Sequence, residues 1–468
     1  MQHSKLVLLL KTFDSSELRA FKDFVESPYF NKNEDLIRLY HYLKPLATKG
    51  FPAAKIERKA VFAAIYPNQS YDERQLNYCI SLLLKLAERF IGLRRYEQSG
   101  ILPEYQQLFA YVERDLDKNY QYIFQQTLDR IEASPYRNTD YYFQRYLLSD
   151  VADEHFAKQN LRRYDQNLQN ASDFLDVFFI AKKLRYLCNM LDQQKFITAD
   201  YELNMLAELK KYLQNNNLDH IPAIHLYHLL LLTLTEAEPE EFFRAYTQDL
   251  RQFAAQFPID EQRALYHFAI NFCIHRIRLG AKEFTQDLMN LYREGVENQV
   301  LLEKGQISPW TYKNMVKLGL GLGQYDWVED FVKKYSEKLE EDKRADAYHF
   351  NLADLYYHRK SYGDALQYLN QVEFSDIHYH LGAKAMLLKI YYETEENEAL
   401  LSLISAFKNF LRRNKNVPKE VKEPYLNFVN LLHELYKKPV NIKKLQQKVN
   451  ETAMLSDRTW LLQQLTSI

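Results

Sequence analysis

Residues 351–372, NLADLYYHRKSYGDALQYLNQV, have the pattern of two short helices joined by a tight turn. Ala365 lies in the second of these helices, and Ala399 follows 34 residues later at the corresponding place of the next stretch. A self-similarity of this length is typical of arrays in which helix pairs stack on one another. Such arrays expose an extended surface that commonly binds other molecules. The stretch therefore predicts an all-α fold that contains helical repeats.

Helical periodicity, with breakers between the segments, extends over nearly the whole chain. It predicts about 18–22 helices joined by short loops, and no sheet. Residues 1–98 are predicted to form an N-terminal all-helical module, and residues 99–220 a long-helix bundle or degenerate helical repeats. From 221 to 468 the helices follow in regular pairs. The first helices are predicted to begin near residues 222, 261, 309, 346, 380 and 421, and the second near residues 239, 283, 325, 362, 396 and 441.

The composition narrows the class of protein. Hydrophobic residues make up 47% and charged residues 26% of the 468 residues, which is ordinary for a globular protein. The net charge of −1 creates no general attraction to nucleic acids or to membranes. The three cysteines are far apart and form no CxxC motif, which indicates a reducing compartment. We therefore expect a cytoplasmic protein that does not enter a membrane.

The C-terminal helix pairs resemble the tetratricopeptide repeat (TPR) family. Its first helix carries a leucine, a small residue and a tyrosine, and its second helix carries a small residue at the helix crossing. Residues 346–379 match this pattern best, through Leu352, Ala353, Tyr356, Tyr362, Ala365 and Val372. Residues 380–413 match more weakly, with Ala399 and Ala406 at the small positions. The resemblance, clearest over residues 309–413, implies a TPR-like solenoid for residues 221–468.

The resemblance also implies a working surface, because this family binds peptides on the concave face formed by the first helices. Position by position, that face comprises Lys313, Lys317, Phe350, Asp354, Tyr357, His358, Lys384 and Tyr391. We expect the three aromatic side chains to be exposed in the groove, since an open face gives them no packing role. The lysines would favour an acidic peptide, and Asp354 would weaken that preference.

Catalytic or metal-binding chemistry finds little support in the sequence. The closely spaced glycines of residues 317–323 lie within and at the end of a predicted helix, so helix packing and a helix stop explain them better than a phosphate-binding loop. The histidine pairs at 225 and 228 and at 378 and 380 have no cysteine or carboxylate at ligand spacing. We therefore expect a protein that is not an enzyme and has no cofactor.

Two functions remain open. The favoured one is a protein- or peptide-binding adaptor or scaffold that uses the concave face. The alternative is a ligand-sensing regulatory protein whose N-terminal module binds a partner or nucleic acid. Residues 57–66 and 71–96 superficially resemble a helix-turn-helix, but the second helix is too long for a recognition helix. Nucleic acid is thus not the expected partner of this module, nor of the basic segment 408–448, which includes Lys415 and Lys438.

Overall fold

The structure is a computed structural model, and it describes residues 1–159, 163–194, 200–372, 377–414, 418–437 and 441–467, without the side chain of His378. In these ranges it contains 23 α-helices, three short 3₁₀ turns and one small β-hairpin. The predicted all-α class is confirmed. The expected number of helices was slightly too low. The expectation of no sheet was wrong, because this hairpin is present.

The chain divides into two compact units, Met1–Lys183 and Leu184–Ile468. The division falls within a long helix, α9. The helices up to that point are α1 Lys5–Leu10, α2 Ser15–Glu26, α3 Glu34–Ala47, α4 Arg58–Ile65, α5 Glu73–Glu97, α6 Leu102–Glu113, α7 Asp117–Glu132, α8 Thr139–Lys158 and α9 Gln166–Gln194, with a 3₁₀ turn at Ala53–Ile56.

Local chemistry accounts for the helix starts in the first unit. The carboxylate of Asp14 accepts hydrogen bonds from the backbone N–H groups of Ser16 and Glu17, both at 2.7 Å, and the side chain of Glu17 accepts one from the N–H of Asp14. This is the predicted capping box, which satisfies N–H groups that a helix start otherwise leaves without partners. Asp72 caps α5 in a similar way.

Among the residues that the structure describes, two hydrophobic core clusters lie in the first unit. One gathers residues of α1 to α5, between Leu6 and Phe90, and the other gathers residues of α6 to α8, between Ile101 and Val151. The gap between the clusters lies close to the boundary predicted after residue 98. The predicted division of the chain into three parts, with boundaries after residues 98 and 220, is finer than the observed division into two units, and it stays a prediction.

The second unit consists of helix pairs. Its elements are α10 Leu206–Asn215, α11 Pro222–Thr235, α12 Glu240–Phe253, α13 Ile259–Arg278, α14 Phe284–Glu297, β1 Leu302–Glu303, β2 Gln306–Ile307, α15 Pro309–Gly321, α16 Tyr325–Tyr335, α17 Glu341–His358, α18 Tyr362–Leu369, α19 Ile377–Glu393, α20 Asn397–Arg413, α21 Lys419–Tyr436, α22 Ile442–Glu451 and α23 Arg458–Thr466, with 3₁₀ turns at Ala254–Gln256 and Ser336–Lys338.

The predicted pairing of these helices is confirmed. The first helices α11, α13, α15, α17, α19 and α21 all begin within five residues of the predicted starts. Each packs against the second helix that follows it, and α17 also packs against the neighbouring first helices α15 and α19. The arrangement of all the pairs as a TPR-like solenoid remains a prediction.

The repeat register differs by one residue from the prediction. Ala365 is fully buried at the fourth position of α18, as expected. Ala399, however, is half-buried, and the buried residue at the fourth position of α20 is Leu400. Ala406 is exposed for the same reason, and Phe407 is buried in its place. The equivalent positions are thus 35 residues apart, because α20 begins one residue later than the 34-residue spacing requires.

Glycines in two segments determine the local backbone geometry. A Cβ atom at Gly319 would lie 2.5 Å from Cγ2 of Val328, so the absence of a side chain lets α15 and α16 approach closely. Gly323 has a φ of +70° just after α15, which is a common way to end a helix. In the unpredicted hairpin, Lys304 and Gly305 both have positive φ, as a two-residue turn of this kind requires. Gly319 and Gly323, two of the three glycines of residues 317–323, therefore have structural roles.

Candidate functional site

The surface formed by the first helices α15, α17 and α19, here called the first-helix face, carries an exposed tryptophan. Ser308 caps α15 by accepting a hydrogen bond from the N–H of Thr311 at 3.1 Å, and Pro309 begins the helix. Trp310 follows in the first turn with 67% of its surface exposed. Lys313 and Lys317 lie three and seven residues later, on the same side of the helix. The Nζ atom of Lys313 lies 5.9 Å from the centre of the indole ring.

The sequence reasoning missed Trp310, although two signals were present. The Ser-Pro pair marks a helix start, and the spacing from Trp310 to the two predicted lysines places all three on one face. Lys313 is half-buried and Lys317 is exposed. The predicted lysines of α15 are therefore accompanied by an exposed aromatic side chain.

The expected exposure of Phe350 and Tyr357 is wrong. Their exposed fractions are only 7% and 5%. The ring of Phe350 lies 5.3 Å from that of Tyr379 and directly faces Gly382, where a Cβ atom would come within 3.0 Å of it. The neighbouring helix α19 thus covers α17 at Phe350. Phe350 therefore packs between helices and is not exposed in an open groove.

Tyr357 is buried because it belongs to a hydrogen-bond network around Glu393. The Glu393 carboxylate accepts hydrogen bonds from the hydroxyls of Tyr357 and Tyr362, from Lys360 Nζ at 2.7 Å and from Trp460 Nε1 at 2.6 Å. Burial alone would raise the pKa of Glu393, but these four donors outweigh it and lower the pKa to about 2. The carboxylate is therefore held in its charged form by a complete set of partners.

A second group of charged residues lies beside this network. His358 Nδ1 lies 2.8 Å from the backbone carbonyl of Asp354 and 3.3 Å from its carboxylate. Burial opposes the charged imidazole, yet Asp354 raises the pKa of His358 overall. Lys389 donates a hydrogen bond of 2.8 Å to Asp457. Burial would raise the pKa of Asp457, but Lys389 and the more distant Lys317 lower it. The positive charge of Lys317 therefore reaches this group.

These contacts fix the C-terminal helix α23. Asp457 directly precedes the helix, and Trp460 in its first turn packs edge-on against Tyr392 at 5.5 Å and Phe428 at 6.0 Å. Leu461, next to Trp460, is buried in the same core cluster. The hydrogen bonds of Glu393 with Trp460 and of Lys389 with Asp457 thus connect α19 to α23.

The remaining predicted residues lie apart from this cluster. Lys384 is half-buried one turn after His380, whose ring lies 4.9 Å from that of Phe410 in α20. Tyr391 is half-buried against the C-terminal core. Of the eight predicted residues, Asp354 and His358 contact each other, and Tyr357 belongs to the network around Glu393. Lys313 lies beside Trp310, Lys317 is exposed, and Lys384 is half-buried. Phe350 and Tyr391 pack against neighbouring residues.

Other candidates from the sequence have structural partners or cannot be placed. His225 lies 2.7 Å from Asp249 and 3.3 Å from Asp219, within hydrogen-bond distance of both carboxylates. Across the residues that the structure describes, no group of three or more histidine, cysteine or acidic side chains is arranged to hold a metal. Lys415, Lys438 and the side chain of His378 lie outside the described residues.

Comparison of the chain with family models, with curated proteins and with solved structures found no match. The resemblance to tetratricopeptide repeats therefore stays a prediction from the sequence. In the described ranges, no helix combines the length and the apolar character that crossing a membrane requires.

Proposed function

We propose that this protein is an adaptor that binds a peptide segment of another protein on its first-helix face. The observation that carries the proposal is the exposed Trp310, which lies on one side of α15 with Lys313 and Lys317. Exposed aromatic side chains beside basic ones are frequent anchors of protein–protein interfaces, because an indole buries a large area on binding. The helix-pair organisation, which we propose to be a TPR-like solenoid, provides a rigid support for such a surface.

The charges of this face suggest the preferred segment. Lys317 is exposed, and Lys313 lies beside the indole, so both favour a carboxylate in the bound peptide. Asp354 was expected to oppose this preference, but it is buried and paired with His358. On α19, Lys389 binds a carboxylate of the chain itself, that of Asp457, at 2.8 Å. We therefore propose a segment with an acidic residue next to an apolar one.

The proposal also covers the setting of this interaction. A cytoplasmic location is supported by the three cysteines, which are all buried and free of disulfides. Neither nucleic acid nor a membrane is the proposed partner of the first-helix face, because two lysines and one indole offer few phosphate contacts. An activity as an enzyme is not part of the proposal.

Selection from a displayed library of random peptides tests this function. The full chain should enrich peptides that combine acidic and apolar or aromatic residues. Trp310→Ala and Lys317→Glu should each weaken binding of the enriched peptides by about 1–2 kcal/mol without lowering thermal stability. Leu279, which is equally exposed at 67% but lies between α13 and α14, provides the matched control Leu279→Ala. Peptides that bind all three variants as well as the parent would show that the site lies elsewhere.

A further inference from the structure

A cleft of about 720 Å³ opens on the N-terminal module, between the start of α3 and one side of α5. Its lining combines a loop before α3, the first turn of α3 and a stripe of α5. Volumes of this size are usual for ligand-binding sites. The cleft lies within the first unit and is separate from the first-helix face.

The wall formed by the loop is held in place by its own contacts. The buried side chain of Asn31 donates hydrogen bonds to the carbonyls of Val25 at 2.8 Å and Asn33 at 3.1 Å, and accepts one from the N–H of Asn33 at 2.9 Å. Phe30 stacks on Phe24 with 4.0 Å between ring centres. The guanidinium of Arg89 also lies over the ring of Phe30, 5.1 Å from the ring centre. The cleft is therefore formed before any partner binds.

The charges of the cleft are unbalanced. Its two carboxylates both lie near one cation, since Arg38 contacts Glu34 at 2.9 Å and Asp35 at 3.7 Å. The cleft contains three more cations, Lys32, Lys85 and Arg89, all of them exposed. No ion pair joins any of these three to a carboxylate of the described residues. The cleft thus offers three cations to an acidic ligand.

Apolar side chains run between these cations along α5. Tyr78, Leu82 and Leu86 follow one another at intervals of four residues, on the same side of the helix as Lys85 and Arg89. Tyr78 is 63% exposed, and Leu82 is half-buried at the surface of the cleft. A ligand that matches this side therefore needs an apolar strip flanked by negative charges.

We propose that this cleft docks an acidic amphipathic helix of a partner protein. Apolar side chains of that helix would pack on Leu82 and Tyr78, and its carboxylates would meet Lys32, Lys85 and Arg89. Helix-in-groove binding uses anchors at such intervals. Nucleic acid fits less well, because the apolar side chains of Leu82 and Leu86 in the lining would gain nothing from a phosphate backbone. This interaction surface is independent of the function proposed for the second unit.

Fluorescence anisotropy of the full chain with a labelled synthetic helix provides the test. The probe is a peptide of about 15 residues with leucines on one side and glutamates on the other, long enough to form a helix on binding. We expect saturable binding in about 0.15 M salt, an ionic strength that screens non-specific attraction. Replacing all glutamates of the peptide by glutamine should abolish that binding.

Matched charge reversals locate the site. Arg89→Glu should weaken binding at least about tenfold, whereas Arg95→Glu, six residues later in α5 and outside the cleft lining, should change it less than about twofold. Since Arg89 also contacts Phe30, Lys85→Glu provides a second variant that leaves this stacking intact. Equal losses for Arg89→Glu and Arg95→Glu, or no binding by the parent chain, would overturn the proposal. Tighter binding of a labelled single-stranded DNA that also depends on Arg89 would replace it with a nucleic-acid site.

Discussion

Replacing Glu393 with glutamine should destabilise the second unit strongly. The network lowers the pKa of Glu393 from 4.5 to about 2. A shift of this size corresponds to roughly 3 kcal/mol of folding free energy at neutral pH. Glutamine keeps the shape of the side chain but loses the charge, and its amide group would face hydroxyl, ammonium and indole donors. We therefore expect the free energy of unfolding at pH 7 to fall by about 2–3 kcal/mol.

The pH dependence separates this effect from a simple packing defect. Because the folded state lowers the pKa of Glu393, its stabilisation is complete above about pH 5 and is lost as the pH falls towards 2. The difference between parent and Glu393→Gln should therefore shrink on acidification. All three tryptophans, Trp310, Trp327 and Trp460, lie in the second unit, so their fluorescence during urea unfolding follows that unit alone. The exposed Glu303→Gln serves as control, and a difference that is absent at pH 7 or constant with pH would refute the reasoning.

Three further predictions concern packing and reactivity. Gly319→Ala should lower the melting temperature, because the new Cβ atom would lie 2.5 Å from Val328, whereas Gly321→Ala, which meets nothing within 4 Å, should raise stability by up to about 1 kcal/mol. Ala365→Leu should cost about 1–3 kcal/mol in urea unfolding, and Ala399→Leu close to nothing, because only the first is fully buried. The three buried thiols, whose pKa values burial raises, to about 12 for Cys273, should react with a thiol reagent only after unfolding.

Features encoded locally could be predicted from the sequence. The starts of helices such as α2 and α15 follow from local caps and breakers, here Asp14 and Pro309, which act within a few residues. The structural role of the glycines in residues 317–323 could be predicted because a helix and its end are encoded in the local sequence. The small β-hairpin was missed because it consists of two residue pairs, too few for a visible alternation.

Features that depend on neighbouring helices could not be predicted. The side chains of Phe350 and Tyr357 point to the side of α17 that a repeat would leave open, but α19 and the network around Glu393 cover them. The role of Glu393 could not be predicted from a local pattern, because one of its partners, Trp460, is 67 residues away along the chain. The one-residue shift from Ala399 to Leu400 reflects where α20 begins, which the weak repeat pattern does not determine.

Site-specific photo-crosslinking tests the central claim, that the exposed face of α15 binds an acidic segment of another protein. A photoreactive phenylalanine derivative would replace Trp310 in one version of the full chain and the equally exposed Leu279 in another. The account predicts crosslinks from position 310 whose partner peptides, identified by mass spectrometry, contain acidic and apolar residues. It also predicts that Lys317→Glu removes these crosslinks. Crosslinks of equal yield from both positions, or partner peptides without acidic residues, would contradict it.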